Sequence, residues 1–539
     1  MNKLSIFLKK SKRVKKMNRI NKLILSLILV SIAIASFGFA SAADMNQTYE
    51  TDFELEDEYV DVENTDSDEE LYCVFPSMPD DVESVDDECE NADFSADDEC
   101  ENANASLDGE NNETRPIVGP KIVVNNDSGN SSKSPKIGPY VDSGNQTIPV
   151  SINTPGTFEE LQSLINNAKE GSTLYLTRDY YGHEGARIIL NKNLIINGLC
   201  HTIDCRGAKN CIGFVSILGE VTLKNLNIIN GRNDYSYNGG AISILGFARY
   251  TLINCKFINN WADDYGGAIY NGANHQLTIK DCLFRGNTAD DCDGGAIYSK
   301  GEVNIEGSQF ENNKAYVDGG AIKSEMNVNV FNSSFLSNSA KGANSQCYGG
   351  AICSKADVYV DNCIFKENLA QDYGGAIYAK NIHINTKQSS KSSFISNKAE
   401  DNDGGALYAE EKVNGDNVEF NYNSAYEDGG AVFCKDADFK NALFSSNTAK
   451  GALIADCYGG AIFAKETVNL YKNCEFRYNY AEDLSGAIEA ENLNLWDKSI
   501  KFWGNDIGKR DPWYCEYVSY GGICFEYLNE VTAHIHQLF

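Results

Sequence analysis

The sequence predicts an all-β fold: a right-handed parallel β-helix solenoid with an N-terminal amphipathic capping helix, preceded by a disordered acidic tail. Three observations carry that expectation. Gly-Gly-Ala-aliphatic begins at Gly239, Gly266, Gly294, Gly319, Gly349, Gly374, Gly404, Gly429 and Gly459. A second motif, Phe-x-x-Asn-x-Ala, runs between the copies from Phe257, Phe284, Phe310, Phe335, Phe365, Phe394, Phe420, Phe444 and Phe476. Eight of the nine prolines lie between Pro76 and Pro155, and the 356 residues that separate Pro155 from Pro512 contain none. A unit of 25 to 30 residues buries its apolar face only against its neighbours. A proline-free run keeps every backbone donor available to a β-ladder.

The elements follow in chain order. Residues 1–22 hold nine Lys and Arg and no acid, an apolar run extends from Leu23 to Phe39, and Ala40-Ser41-Ala42 closes it. That pattern predicts a signal peptide over 1–42, with an uncleaved anchor as the alternative. Residues 43–114 hold 28 acids and no Lys or Arg, which predicts a solvated tail that repels itself. Residues 115–155 mix Pro, Gly, Ser and Asn and read as a linker. N-x-[ST] sequons at Asn46, Asn104, Asn112, Asn126, Asn130 and Asn145 mark tail and linker as a glycosylatable stalk. Thr157-Phe158-Glu159-Glu160 is a capping box that opens a helix with Phe158, Leu161, Leu164, Ile165 and Ala168 on one face, closed by Gly171. With the irregular first coils this cap spans 156–238, regular coils span 239–510, and a C-terminal cap spans 511–539.

Within each regular unit the apolar period is two, the strand period, as in Val303-Asn304-Ile305 and Val358-Tyr359-Val360. Three short strands and three turns fit the repeat, with Gly-Gly at a tight corner. Stacking at about 4.8 Å per coil then predicts a Phe ladder inside, an Asn ladder at a turn and a Cys/Ser/Ala ladder two residues before the Phe. The rod would be roughly 60 Å long. Lys341-Gly342-Ala343 leading to Cys347-Tyr348-Gly349 recurs as Lys450-Gly451-Ala452 leading to Cys457-Tyr458-Gly459. The array therefore reads as a duplicated four-coil block with two long turns on one face.

Composition limits the function. With 42% hydrophobic residues the 539-residue chain can build a core, and a net charge of −31 argues against nucleic acid or anionic lipid as partner. Loss of residues 1–42 would deepen that charge to −40. A membrane would be engaged only through a retained signal segment. The Asp-rich turns, at Asp263-Asp264, Asp290-Asp291, Asp293, Asp318, Asp372, Asp403, Asp428 and Asp483, recur in register. An active site occurs once, whereas a turn preference repeats, so these acids read as solvated turns rather than a glycosidase pair, with weak Ca²⁺ binding as their alternative role. No cofactor is expected. The six His, among them His534 and His536, hold no repeated register, and no phosphate-binding or nucleophile-elbow motif appears. Cys255, Cys282, Cys363 and Cys474 alternate with Ser333, Ser392 and Ala442, which is the usage of a small buried residue. Cys200, Cys205 and Cys211 near the cap, and Cys515 and Cys524 near the far end, are candidates for disulfides whose pairing the sequence leaves open.

The Gly-Gly-Ala-Ile and Phe-x-x-Asn pair resembles the repeats of chlamydial polymorphic outer-membrane proteins and, more closely, the adhesin-like surface proteins of methanogenic archaea. The helix followed by Ile195-Ile196-Asn197-Gly198 resembles the start of pectin-lyase-like β-helices. The resemblance covers about residues 155–510 and implies a secreted or cell-surface adhesin-like protein. Its implied partner is a glycan or surface protein of a host or neighbouring cell, and no catalysis is implied. A secreted polysaccharide lyase or glycoside hydrolase on the same scaffold is the alternative. The likeness does not extend to anchoring, because no autotransporter barrel, wall-sorting motif or C-terminal membrane helix is evident.

One position is a candidate binding site. The residue after each Gly-Gly-Ala-aliphatic is Tyr270, Tyr298, Lys323, Cys353, Tyr378, Tyr408, Phe433, Phe463 or Glu489. Alternation turns it outward while its neighbours face the core. Tyr270, Tyr298, Tyr378, Tyr408, Phe433 and Phe463 should form an aromatic stripe that stacks on sugar rings or seats a protein. Ring stacking that only stabilises the sheet is the competing role.

Overall fold

The computed structural model describes residues 154–508, except 235–237, 343–345, 386–390 and 452–456, together with the strands Tyr140–Val141, Thr147–Ile148 and Ile523–Phe525. Apart from those three strands, the expected signal peptide, acidic tail, linker up to residue 153 and C-terminal cap lie outside the described residues.

Helix α1, Phe158–Asn167, opens on the capping box read from the sequence: Thr157 Oγ1 accepts from Glu160 N at 3.3 Å, and Glu160 Oε2 accepts from Thr157 N at 2.9 Å. Phe158, Leu161 and Ile165 are buried against the first coil, while Leu164 stays exposed. The helix stops at Ala168, before Gly171, because a tertiary contact closes it. The Lys192 ammonium donates to the carbonyls of Ile165, Asn166 and Ala168 at 3.1, 3.2 and 3.0 Å, where helical partners run out. The Gln162 amide pairs with the Ile189 backbone in both directions, at 3.0 and 2.7 Å, and so occupies part of the first strand edge.

Beyond the cap the chain winds into a parallel β-solenoid of about thirteen turns. The coils from Ile242 to Ala370 carry four strand segments rather than the expected three, and from Ile377 on the leading segments merge into longer strands such as Leu407–Asn421. In one coil they are Ile297–Ser299, Val303–Glu306, Gln309–Glu311 and Lys314–Ala315. The first three sets belong to one 33-stranded sheet, and the fourth forms a separate 11-stranded sheet. The extra segment arises at the Phe-x-x-Asn-x-Ala motif, where a residue in the left-handed region, such as Asn312 (φ 53°), turns the chain ahead of the buried Asn. The next two residues then pair with the coils on either side, as Lys314 and Ala315 do with Ser339 and Ala340.

The Gly-Gly corner needs both glycines for different reasons. Gly319 sits at φ 64°, and a Cβ there would lie 2.2 Å from Ile322 O. A Cβ on Gly320 would lie 2.0 Å from Gly350 O in the next coil, so coil-to-coil spacing itself excludes a side chain. Inside, rings from Phe257 to Phe502 stack in one file, with centroids 4.7 Å apart for Phe257–Phe284 and 4.9 Å for Phe476–Phe502. The ladder before them is buried as expected. Cys282 N donates to Ser308 Oγ at 3.0 Å and Ser308 N to Ser333 Oγ at 3.0 Å, while Cys282 Sγ donates to Lys280 O at 3.1 Å.

Candidate functional site

The first strand of each coil places its aliphatic residue and the residue two further on inside, so the residue between them projects from the outer wall. There the rings stack from coil to coil. Tyr378–Tyr408, Tyr408–Phe433 and Phe433–Phe463 have centroids 5.1, 4.7 and 5.1 Å apart and planes within 8 to 11°. Tyr270 and Tyr298 form a second, shorter stack at 5.6 Å.

The structure adds a layer that strand alternation did not reveal. Tyrosines just before the Gly-Gly corners fold over the stripe: Tyr265 onto Tyr298 at 4.6 Å, Tyr348 onto Tyr378 at 4.7 Å and Tyr373 edge-on to Tyr408 at 4.8 Å. Tyr298, under Tyr265, is only 8% exposed, and Phe433, between the Tyr408 and Phe463 rings and beneath Lys465, is 6% exposed, whereas Tyr270, Tyr378, Tyr408 and Phe463 stay half-buried. The outward expectation holds for direction but not for access at Tyr298 and Phe433. The available signal was the alternation of Tyr with Asp at the pre-glycine position.

Two carboxylates tie the stripe's rim. Glu325 accepts from Tyr298 Oη at 3.0 Å, and Glu410 accepts from Tyr378 Oη at 2.8 Å. Burial first, and those carboxylates second, push both phenols well above their ordinary range, so they act at neutral pH as hydrogen-bond donors rather than bases. Lys465 lies over the Phe433 ring at 5.1 Å.

Asp290 and Asp291 are exposed as expected, but six other turn acids turn inward to backbone donors. Asp293, Asp318, Asp403 and Asp428 accept the backbone N–H of Asp318, Tyr348, Asp428 and Tyr458 at 3.1, 3.0, 3.0 and 2.8 Å. Asp372 and Asp483 accept those of Cys347 and Cys457 at 2.8 and 3.0 Å. Each carboxylate thus holds the turn of a neighbouring coil. Among the described residues no three His, Cys, Asp or Glu side chains are grouped to hold a metal ion.

The two long turns leave the solenoid at the same point of their coils. Cys347 Sγ reaches Tyr316 O at 3.4 Å, and Cys457 Sγ reaches Tyr426 O at 3.4 Å. Four coils separate them, about 19 Å, as a duplicated block requires. Cys205 and Cys211 are buried free thiols.

A more open surface lies on the outer face of the second strands. A shallow groove of about 400 Å³ is floored by Thr278, Asn304 and Asn329 and edged by Phe331 and Tyr359, which are 40% and 37% exposed. The Tyr359 ring stacks on His383 at 4.7 Å. Strand period alone does not mark this surface, since Phe331 and Tyr359 each occur once in a ladder whose neighbouring members are polar.

A family model described as the Chlamydia polymorphic membrane protein repeat matches residues 254–272, 281–300, 307–325, 362–380, 417–435 and 441–465. Each matched segment carries the signature Phe, the buried Asn and the Gly-Gly corner. No curated protein and no solved structure matches the chain. Among the described residues no helix is long and apolar enough to cross a membrane.

Proposed function

We propose that this protein is a secreted or cell-surface adhesin-like binding protein: a stiff β-helical rod that takes up a glycan or surface protein of a host or neighbouring cell without catalysing a reaction. Repeats of polymorphic-membrane-protein type wound into a β-solenoid support a surface role. The observation that carries the reading is the continuous file Tyr378, Tyr408, Phe433 and Phe463, pre-stacked on a rigid wall with its tyrosines half open. Aromatic faces held at fixed spacing bind sugar rings or apolar side chains at little cost in conformational entropy. The hydrolase alternative requires an acid and a base free to exchange protons with substrate. Here the recurrent Asp side chains hold backbone N–H groups instead.

Alanine substitution at Tyr378, Tyr408 and Phe433 tests the reading, with thermal melting beside glycan-array and cell binding. Tyr378→Ala should lose binding with a melt close to that of the parent protein. Phe433→Ala removes a covered ring and should cost about 3 kcal/mol of stability. If Tyr378→Ala and Tyr408→Ala lower the melt while binding persists, the stripe is structural and the assignment fails.

A further inference from the structure

The aromatic stripe is interrupted at two successive coils, by Lys323 and Cys353. The duplicated block carries Phe433 and Phe463 at the corresponding positions, 110 residues on. Between Tyr270 and Phe463 these are the two positions of the stripe that hold no aromatic residue. The two residues are direct cross-strand partners. Lys323 Nζ lies 3.0 Å from Cys353 Sγ and 2.6 Å from Asp318 Oδ2. Lysine and cysteine are 4% and 1% exposed, so neither side chain has room to swing away.

We propose that Lys323 and Cys353 are a modification site, joined by hydrogen peroxide into an Nζ–O–Sγ bridge that covalently staples adjacent coils. In the first step one peroxide O–O bond breaks, Cys353 becomes a sulfenic acid and one water leaves. Asp318 accepts the proton that the Lys323 ammonium must give up, which frees the nitrogen lone pair. A second peroxide then takes two electrons as the sulfenic oxygen joins the amine, and two more waters leave. Across both steps the thiol and amine lose four electrons, two peroxides accept them, and one oxygen atom remains in the bridge.

The separation favours an oxygen-bridged product. At 3.0 Å, a direct S–N bond would require the two coils to collapse toward each other, whereas a bridging atom spans most of the gap. Burial, then the Asp318 charge, push the Cys353 thiol well above its ordinary value while Lys323 opposes them, so the first oxidation is slow. The inner-ladder thiols have a different setting. Cys282 and Cys363 donate to the carbonyls of Lys280 and Asp361 at 3.1 and 3.2 Å. A sulfenic acid at Cys282 would have the Cys255 thiol beside it rather than an amine.

The experiment treats the full chain with hydrogen peroxide, alkylates it without reduction, digests it and maps peptides by mass spectrometry. The expected result is a linked pair containing Lys323 and Cys353, heavier than its separate peptides by one oxygen less two hydrogens. Dithiothreitol should separate it, and it should be missing from Lys323→Arg and Cys353→Ser. Recovery of the two peptides unlinked, with Cys353 alkylated or carried to sulfinic acid, overturns the proposal. That outcome is read on the parent protein alone, so it stands even where a variant fails to fold.

Discussion

One side chain per coil shows how a polar group can be fully buried without penalty. Asn338 Nδ2 donates to Asn368 Oδ1 at 3.0 Å and to Phe310 O at 2.9 Å, and Asn338 N donates to the same Asn368 Oδ1 at 3.0 Å. Its own Oδ1 receives both bonds from Asn313, at 3.1 and 2.9 Å. All four hydrogen-bonding positions of the amide are filled, and the pattern runs from Asn260 to Asn505. Replacing one member therefore harms its neighbours. Asn368→Ala leaves Asn338 N without its acceptor, one of the two Asn338 Nδ2 protons unpaired and Phe335 O without the amide that donates to it. At about 1–3 kcal/mol for each orphaned group, the expected loss is at least about 3 kcal/mol. Denaturant unfolding measures the loss, and faster hydrogen exchange at Asn338 N should accompany it. A change below about 1 kcal/mol would show that the ladder follows from the coil stack rather than supporting it.

At the scale of the element, the turn before Gly-Gly stores charge that two equivalent coils manage differently. Asp293 and Asp318 share their turn with the Lys323 ammonium. The corresponding pair, Asp403 and Asp428, meets Phe433 where that lysine would be, with Glu427 and Glu489 adding negative charge and Lys465 offsetting part of it. Burial, followed by the Asp403 charge, pushes Asp428 up to about 8, and burial pushes Asp403 up to about 6. An unfolded aspartate titrates near 4, so the folded pair binds protons that the unfolded chain releases. Its contribution is complete below the unfolded value and is lost as pH rises through about 6 and then about 8. Melting temperature should fall between about pH 5 and 9. Asp428→Asn keeps the acceptor for Tyr458 N without a titrating proton and should flatten that fall. An unchanged pH slope in Asp428→Asn would remove the pair as its source.

At the scale of the molecule, nearest-neighbour coils supply the stability, and the sequence places the boundary of that cooperative array near residue 155. The stretch 43–114 has too few apolar residues against its 28 acids to form a core of its own. Limited proteolysis should therefore leave a stable fragment beginning near residue 150. A protected fragment that keeps Asp57 to Asp98 would overturn that boundary. The duplication is also a molecular property. It sets two long turns that share Lys-Gly-Ala and Cys-Tyr-Gly at their ends four coils apart, with Cys347 and Cys457 seated alike on the carbonyls of Tyr316 and Tyr426.

Repetition made the fold legible in the sequence, because Gly-Gly, Phe and Asn each recur at a position where only a few residue types satisfy the local geometry. The capping box, the inner ladders and the outward direction of Tyr378 and Tyr408 followed from period and local chemistry alone. Only the tertiary structure decided what depends on contacts between distant residues. It supplied the fourth strand set, which exists only as a pairing between coils, and the helix end closed by Lys192. It also placed the turn tyrosines over Tyr298, Tyr378 and Tyr408 and seated Asp carboxylates on backbone N–H groups of other coils. Period and alternation say which way a side chain points along one strand. What lies above it is set by chain some 20 to 30 residues away, and only winding the coils brings that chain into contact.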